Sequence, residues 1–170
     1  NPYNTNTNRY PDPLQRQLKK VLAKVKGILD TQIFLGNGSD EVLDLIFRTF
    51  CEPGEDEVIL LPPTYGMYEV LAQINNVKAV SVPLDQNFEL DIPGILSSIN
   101  QKTKVIFVCS PNNPTGNAIP ISQIKTLLDK FSGLVVVDEA YIDFSKKGTS
   151  IELMKDYPRL MVCQTFSKAY

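Results

Sequence analysis

The stretch KVIFVCSPNNPTGNAIPISQIKTLLDKFSGLVVVDEAY, Lys104 to Tyr141, decides the fold. Its apolar runs, KVIFVCS at 104–110 and GLVVVDE at 133–139, are continuous and do not alternate, as in strands covered on both faces. Between them, Ile121 to about Phe131 carries apolar residues at helical spacing. Strand, helix, strand in that order predicts part of a mostly parallel sheet flanked by helices.

The same plan extends in both directions. Upstream, EVILL at 57–61 leads through a Pro-Pro turn to a helical stretch from about Tyr65 to Ile74 and the β-rich run VKAVSV at 77–82. Downstream, RLMVCQTF at 159–166 predicts another strand. Gln32 to Leu35 reads as a short strand that passes through GNGSDE into a helix lined by Val42, Leu43, Leu45, Ile46, Phe47 and Phe50. Earlier still, LQRQLKKVLAKV sets Leu14, Leu18, Val21, Leu22 and Val25 at helical intervals, with Pro13 in the first turn and Gly27 as the stop. Residues 1–12, NPYNTNTNRYPD, are too rich in Asn, Thr and Pro for regular structure and predict an extended arm. The expected fold class is therefore α/β, a three-layer sandwich around a mostly parallel central sheet.

Composition narrows the chemistry. At 170 residues, with 43% hydrophobic and 21% charged, the chain resembles an ordinary globular domain. Its 17 basic and 19 acidic residues nearly balance, so nucleic acid and anionic membrane are not expected partners. No run approaches the roughly 18 apolar residues of a membrane span. The absence of histidine excludes imidazole catalysis and histidine metal sites within this sequence, leaving lysine or a carboxylate to move protons. Three cysteines without CxxC spacing suggest neither a disulfide framework nor a metal site, and a reducing, cytoplasmic location is expected. The sequence stops at Lys168-Ala169-Tyr170, inside a motif, so a piece truncated at its C-terminus is the expectation.

In open α/β sheets ligands bind at the carboxyl ends of the strands, where this sequence places GNGSDE, PPTYG, SPNNPTG, DEAY and TFSKAY. Asp138, at the end of a buried strand, needs a cation or hydrogen-bond donors to offset desolvation, although a helix-capping aspartate would also fit. Lys168 could form a Schiff base and shuttle protons, or be a plain surface lysine. GNGSD could expose amides to a phosphate with help from the Ser39 hydroxyl, or Ser39 could simply cap the helix. Tyr65 could lie against a flat aromatic ligand or belong to the core. Asn112 and Asn113 sit in a proline-bounded loop that fixes their amides.

Taken in order, GSDE, PPTYGMY, SPNNPTG, VVDEAY and TFSKAY resemble the pyridoxal-phosphate aminotransferases of fold type I, over nearly the whole chain, with NRYPDP pointing to the histidinol-phosphate branch. The resemblance implies that Lys168, Asp138 and Tyr141 are catalytic. It implies that Lys168 holds pyridoxal 5'-phosphate covalently, Asp138 pairs with its pyridine nitrogen, Asn113 and Tyr141 bond its phenolic oxygen, and Tyr65 stacks on its ring. The phosphate would be bound by Ser39 and Asp40 amides, by Thr165 and Ser167 hydroxyls, and by Tyr10 of a neighbouring copy in a homodimer. Tyr3, Tyr10 and Asn113 would touch substrate, and no metal is implied. Residues 1–12 would form the arm, 13–27 a helix of the small domain, and 28–170 part of the large domain. The implied reaction is transamination of L-histidinol phosphate with 2-oxoglutarate, giving imidazole acetol phosphate and L-glutamate in histidine biosynthesis. An aromatic or aspartate aminotransferase, a threonine-phosphate decarboxylase and a non-catalytic α/β domain are the alternatives. The family's further arginines, one soon after the lysine and one in the small domain, would follow Tyr170.

Overall fold

The computed structural model describes residues 8–169. They belong to two compact units, Asn1–Gly36 and Asn37–Tyr170. In the first, α1 (Arg16–Lys26) starts where the Asp12 carboxylate accepts from the amides of Leu14 and Arg16, at 3.1 and 3.0 Å. Pro13 therefore belongs to the turn before the helix, not to its first turn. Those amide bonds hold the Asp12 carboxyl below its ordinary range. Gly27, at φ +69°, ends the helix by donating its N–H to Ala23, a left-handed conformation that a side chain would disfavour.

The strand expected at Gln32 to Leu35 does not form. Asp30–Gln32 is instead a turn of 3₁₀-helix, in which the Gln32 amide donates to the Leu29 carbonyl and the Gln32 side chain accepts from the Leu29 N–H, both at 3.0 Å. These local bonds satisfy backbone groups that a strand would have offered to a neighbour, and no described residue pairs with 33–35 in a ladder.

The second unit contains a five-stranded sheet in the order β2-β1-β3-β4-β5, with every neighbouring pair parallel. The strands are β1 (Glu57–Leu60), β2 (Lys78–Ser81), β3 (Thr103–Cys109), β4 (Leu134–Asp138) and β5 (Leu160–Cys163). The chain steps from β1 outward to β2 through α3 (Met67–Ile74), then returns across β1 to β3 through α4 (Ile92–Ser98), and continues to β4 through α5 (Ile121–Lys130). Crossovers of parallel strands are right-handed, so reversing the direction of travel moves the connecting helix to the opposite face. The side chains agree. Alternate residues Val58, Leu60, Val105, Phe107 and Val136 face α3 and α2 (Ser39–Phe50), packing on Leu43, Phe47, Tyr68 and Leu71. Ile59, Ile106, Val108, Val135 and Val137 face the other way, against Ile95 of α4 and Ile124 and Leu127 of α5. This is the expected three-layer sandwich. Helix α4 is not legible in the sequence because Pro93 and Gly94 read as a turn; the Asp91 carboxylate starts it by accepting from the Gly94 N–H at 3.1 Å.

The reversal between β1 and β3 is a topological switch point, where helices diverge to opposite faces and leave a crevice at the carboxyl ends of the strands. Among the described residues, no helix is long and apolar enough to cross a membrane.

Candidate active site

A cleft of about 210 Å³ opens at that point, lined by Gly38, Ser39, Asp40, Tyr65, Asn113, Asp138, Tyr141, Thr165, Ser167 and Lys168 among others. The tertiary structure thus brings together all but two of the site residues expected from the sequence. Tyr10 lies in the first unit with its side chain fully exposed. Tyr3 lies outside the described residues.

Parallel register fixes the floor of the cleft. Cys109 on β3 is paired with Asp138 on β4, and Asp138 with Cys163 on β5, forming one row across three strands. Asp138 is 3% exposed. One carboxylate oxygen accepts from the Tyr68 hydroxyl at 2.7 Å and the other from the Ala140 amide at 3.0 Å. Burial pushes the Asp138 carboxyl above its ordinary range, and the two hydrogen bonds only partly oppose that shift. None of the ion pairs among the described residues involves it. Burial, reinforced by the Asp138 charge, also raises the thiols, Cys109 to about 11 and Cys163 to about 12. Both remain protonated near neutral pH and do not serve as nucleophiles.

The α2 N-terminus forms one wall. Its cap residue is Gly38, at φ +89°, and Ser39 is already the first helical residue, with no side chain capping the helix. The simple Ser39 cap is therefore not what the structure adopts. Ser39 and Asp40 stand at the end where first-turn amides have no intrahelical acceptor and the helix dipole is positive. Tyr65 closes the wall, its hydroxyl donating to Asp40 at 3.2 Å.

The two loop asparagines separate. Asn112 is buried and spends its amide inside the protein, donating to the Pro63 carbonyl at 2.9 Å and the Thr115 hydroxyl at 2.7 Å. Asn113 is half-buried and lines the cleft. Opposite, the Lys168 ammonium lies 5.2 Å from the centroid of the Tyr141 ring, within cation–π reach. Thr165 accepts from the Ser167 amide at 3.2 Å, which folds the end of β5 toward the cleft.

Two contributors are not evident from the sequence. Tyr68, three residues after Tyr65, reads as an apolar position of a helix, and its bond to Asp138 spans 70 positions. The motif PPTYGMY, with its second tyrosine one helical turn on, was the available signal. Glu139 follows Asp138 just past the end of β4, and its carboxylate bonds away from the cleft. It is 2% exposed and accepts from the Ser150 amide at 2.6 Å, the Thr149 hydroxyl at 2.5 Å and the Gln164 amide at 2.8 Å. It ties the end of β5, next to Thr165, to the segment before 3₁₀-helix Ser150–Leu153. Glu139→Gln turns one acceptor oxygen into a donor facing other donors. A loss of about 2 kcal/mol in unfolding free energy is expected, measured by urea denaturation of the full-length protein. A loss below about 0.5 kcal/mol would mean that the tie carries little stability.

The profile of aminotransferase class I and II matches residues 3–170. The chain belongs to that family. Among family members, histidinol-phosphate aminotransferase of Flavobacterium psychrophilum is 58% identical over all of this chain and 49% of its own length. That of Christiangramia forsetii is 55% identical, again over 49% of its length. A solved structure of histidinol-phosphate aminotransferase from Sinorhizobium meliloti in complex with pyridoxal-5'-phosphate superposes with a TM-score of 0.87 at 28% identity, covering 96% of this chain and 46% of that one. The chain thus spans about half the length of the curated relatives it matches. Its three-layer architecture is that of the large domain of fold type I aminotransferases.

Proposed function

We propose that this chain forms the cofactor-binding part of a pyridoxal-phosphate-dependent aminotransferase acting on L-histidinol phosphate and 2-oxoglutarate in histidine biosynthesis. The observation that carries the reading is a buried carboxylate, Asp138, unpaired with any cation among the described residues, at the floor of a cleft that also holds a lysine and an uncapped helix N-terminus. The donor set suits the cofactor. A protonated ring nitrogen would offset the desolvation of Asp138, and a phosphate dianion would suit the α2 terminus with the hydroxyls of Ser39, Thr165 and Ser167.

Bound pyridoxal phosphate supplies an electron-poor ring that delocalises charge from the substrate α-carbon. Asp138 would keep a proton on the pyridine nitrogen, while Asn113 and Tyr141 would offer hydrogen bonds to the phenolic oxygen and Tyr65 a flat face to the ring. Lys168 would hold the cofactor through its Nζ, and its free amine would take and return the proton at the substrate α-carbon. A groove of about 650 Å³ adjoins the cleft, shares Asn113 and Tyr141 with it, and offers the substrate room.

In the whole protein, the helix at 13–27 belongs to a small domain, residues 1–12 form an arm, and Tyr10 of that arm reaches the phosphate of a second copy in a homodimer. The exposed ring of Tyr10 supports that reading, as does the 58% identity to a histidinol-phosphate aminotransferase. Tyr3 joins the substrate side. Cytoplasmic residence fits three buried, unpaired thiols.

The test is a half-reaction series on the full-length protein loaded with cofactor. L-histidinol phosphate should discharge the visible cofactor band at least about tenfold faster than phenylalanine or aspartate, a difference of about 1.4 kcal/mol in the barrier. Faster discharge by either of the other two donors would refute the substrate assignment.

A further inference from the structure

We propose that Tyr68 is a positioning residue for Asp138: its phenol clamps one carboxylate oxygen and holds the acid, ionised and fixed in direction, for the cationic ring nitrogen that a bound cofactor would bring. The inference rests on the cofactor assignment made for the cleft and adds a residue to it.

The geometry singles Tyr68 out. Asp138 has two oxygens and no donor of its own when ionised, so its direction is set by what donates to it. The Ala140 amide, two residues along the same chain, satisfies one oxygen locally. The other receives its bond from a separate element, the first turn of α3. Tyr68 is completely buried, and its ring is held on two sides. It stacks on Phe107 of β3 at 5.2 Å between centroids and 19° between planes, and Phe107 stacks on Phe47 of α2 at 5.0 Å. The Tyr65 ring meets it edge-on at 5.5 Å and 87°. A column of rings through one face of the sheet thus fixes the hydroxyl to within the tolerance of a single hydrogen bond.

The surroundings give that bond an electrostatic task. The ionisable groups around Asp138 are Tyr68 and Tyr65, Asp40 on α2, Glu139 beside it, the thiols of Cys109 and Cys163 on the flanking strands, and Tyr141 and Lys168 across the cleft. Lys168 is the cation among them, and it forms no ion pair with Asp138. Asp40 and Glu139 oppose ionisation of Asp138, whereas the phenol favours it. Desolvation keeps Tyr68 protonated far above neutral pH, so the donor is present throughout the working range. A core tyrosine that merely needed a partner would make the same contact. The two roles differ in whether the loss of the phenol is felt through Asp138.

A double-mutant cycle on the full-length holoenzyme separates them, with Tyr68→Phe, Asp138→Asn and the pair together. Tyr68→Phe keeps the ring on Phe107 and deletes only the hydroxyl. A hydrogen bond to a charged group predicts that cofactor affinity, read by fluorescence titration of the stripped protein, weakens by about 10–100-fold. The maximal rate should fall by a similar factor of about 10–100 with KM for the amino donor unchanged. The loss should shrink to less than about twofold when Asp138 is already Asn, because Tyr68 then has no carboxylate to hold. Equal losses in both backgrounds, a change in KM alone, or no change in affinity would overturn the proposal. Should Tyr68→Phe fold poorly alone, the Asp138→Asn background still decides, since a structural tyrosine is needed there as well. A wild-type protein that forms no borohydride-reducible adduct on Lys168 overturns the cofactor assignment and, with it, the role of Tyr68. An adduct with an additive cycle overturns the Tyr68 role alone.

Discussion

Lys168→Ala in the full-length protein should lower transamination by about 10⁴-fold, the upper end for removing a positioned acid–base group. Two functions are lost together. Among the described residues it is the only lysine lining the cleft, so its removal takes away both the nucleophilic amine and the base assigned to the α-carbon proton. Lys168→Arg should fail almost as badly. It preserves the charge over the Tyr141 ring but cannot deprotonate at neutral pH to attack a carbonyl or accept a proton. Borohydride treatment followed by peptide mapping should recover the cofactor on the Lys168 peptide of the wild type and on no peptide of either variant. Small primary amines added to Lys168→Ala should restore part of the rate, because the cavity left by the side chain admits them beside Tyr141. Full activity in Lys168→Ala, or an adduct on another lysine, would remove Lys168 from the mechanism.

Asp138→Asn should lower the maximal rate by about 10²–10³-fold, the range for deleting one preorganised electrostatic group. The same substitution is expected to leave the cofactor-free protein as stable as the wild type or more so. Asparagine fits the site, because its oxygen can accept from Ala140 while its amide donates to the Tyr68 oxygen. The pH dependence follows from the direction of the shift. Burial raises the folded-state pKa of Asp138 above its unfolded value, so between the two values the folded state holds more protons. Stability from this group is therefore full below the unfolded value and is lost as pH rises through the folded one. The wild type without cofactor should lose thermal stability across that window relative to Asp138→Asn, and cofactor binding should close the difference. Thermal melts of both proteins at a series of pH values, with and without cofactor, measure this. A variant less stable at neutral pH would show that the ionised carboxylate is a net stabiliser in the empty site.

Much of the candidate site was legible because its residues terminate strands that the sequence marks clearly. LVVVD ends in the only acid of a buried run, and TFSKAY follows the strand at Leu160–Cys163, so Asp138 and Lys168 are marked by local pattern alone. The segment at Gln32 to Leu35 misled because four residues are too short for periodicity to separate a strand from a turn, and the Gln32 side chain closed the turn. Asn112 and Asn113 were equivalent in the sequence. Only the folded loop assigned one to the interior and the other to the cleft.

The sequence by itself determined the layers, the parallel sheet, the end of the sheet that carries the chemistry and the absence of imidazole from these 170 residues, because each follows from local pattern and residue type. The tertiary structure alone decided which groups meet there. Register set Asp138 between two buried thiols, the crossover through α3 delivered the Tyr68 phenol to it, and Glu139 found its three donors at positions 149, 150 and 164. Periodicity records which face of an element is buried, whereas hydrogen-bond partners depend on how distant elements are placed, which no local pattern encodes.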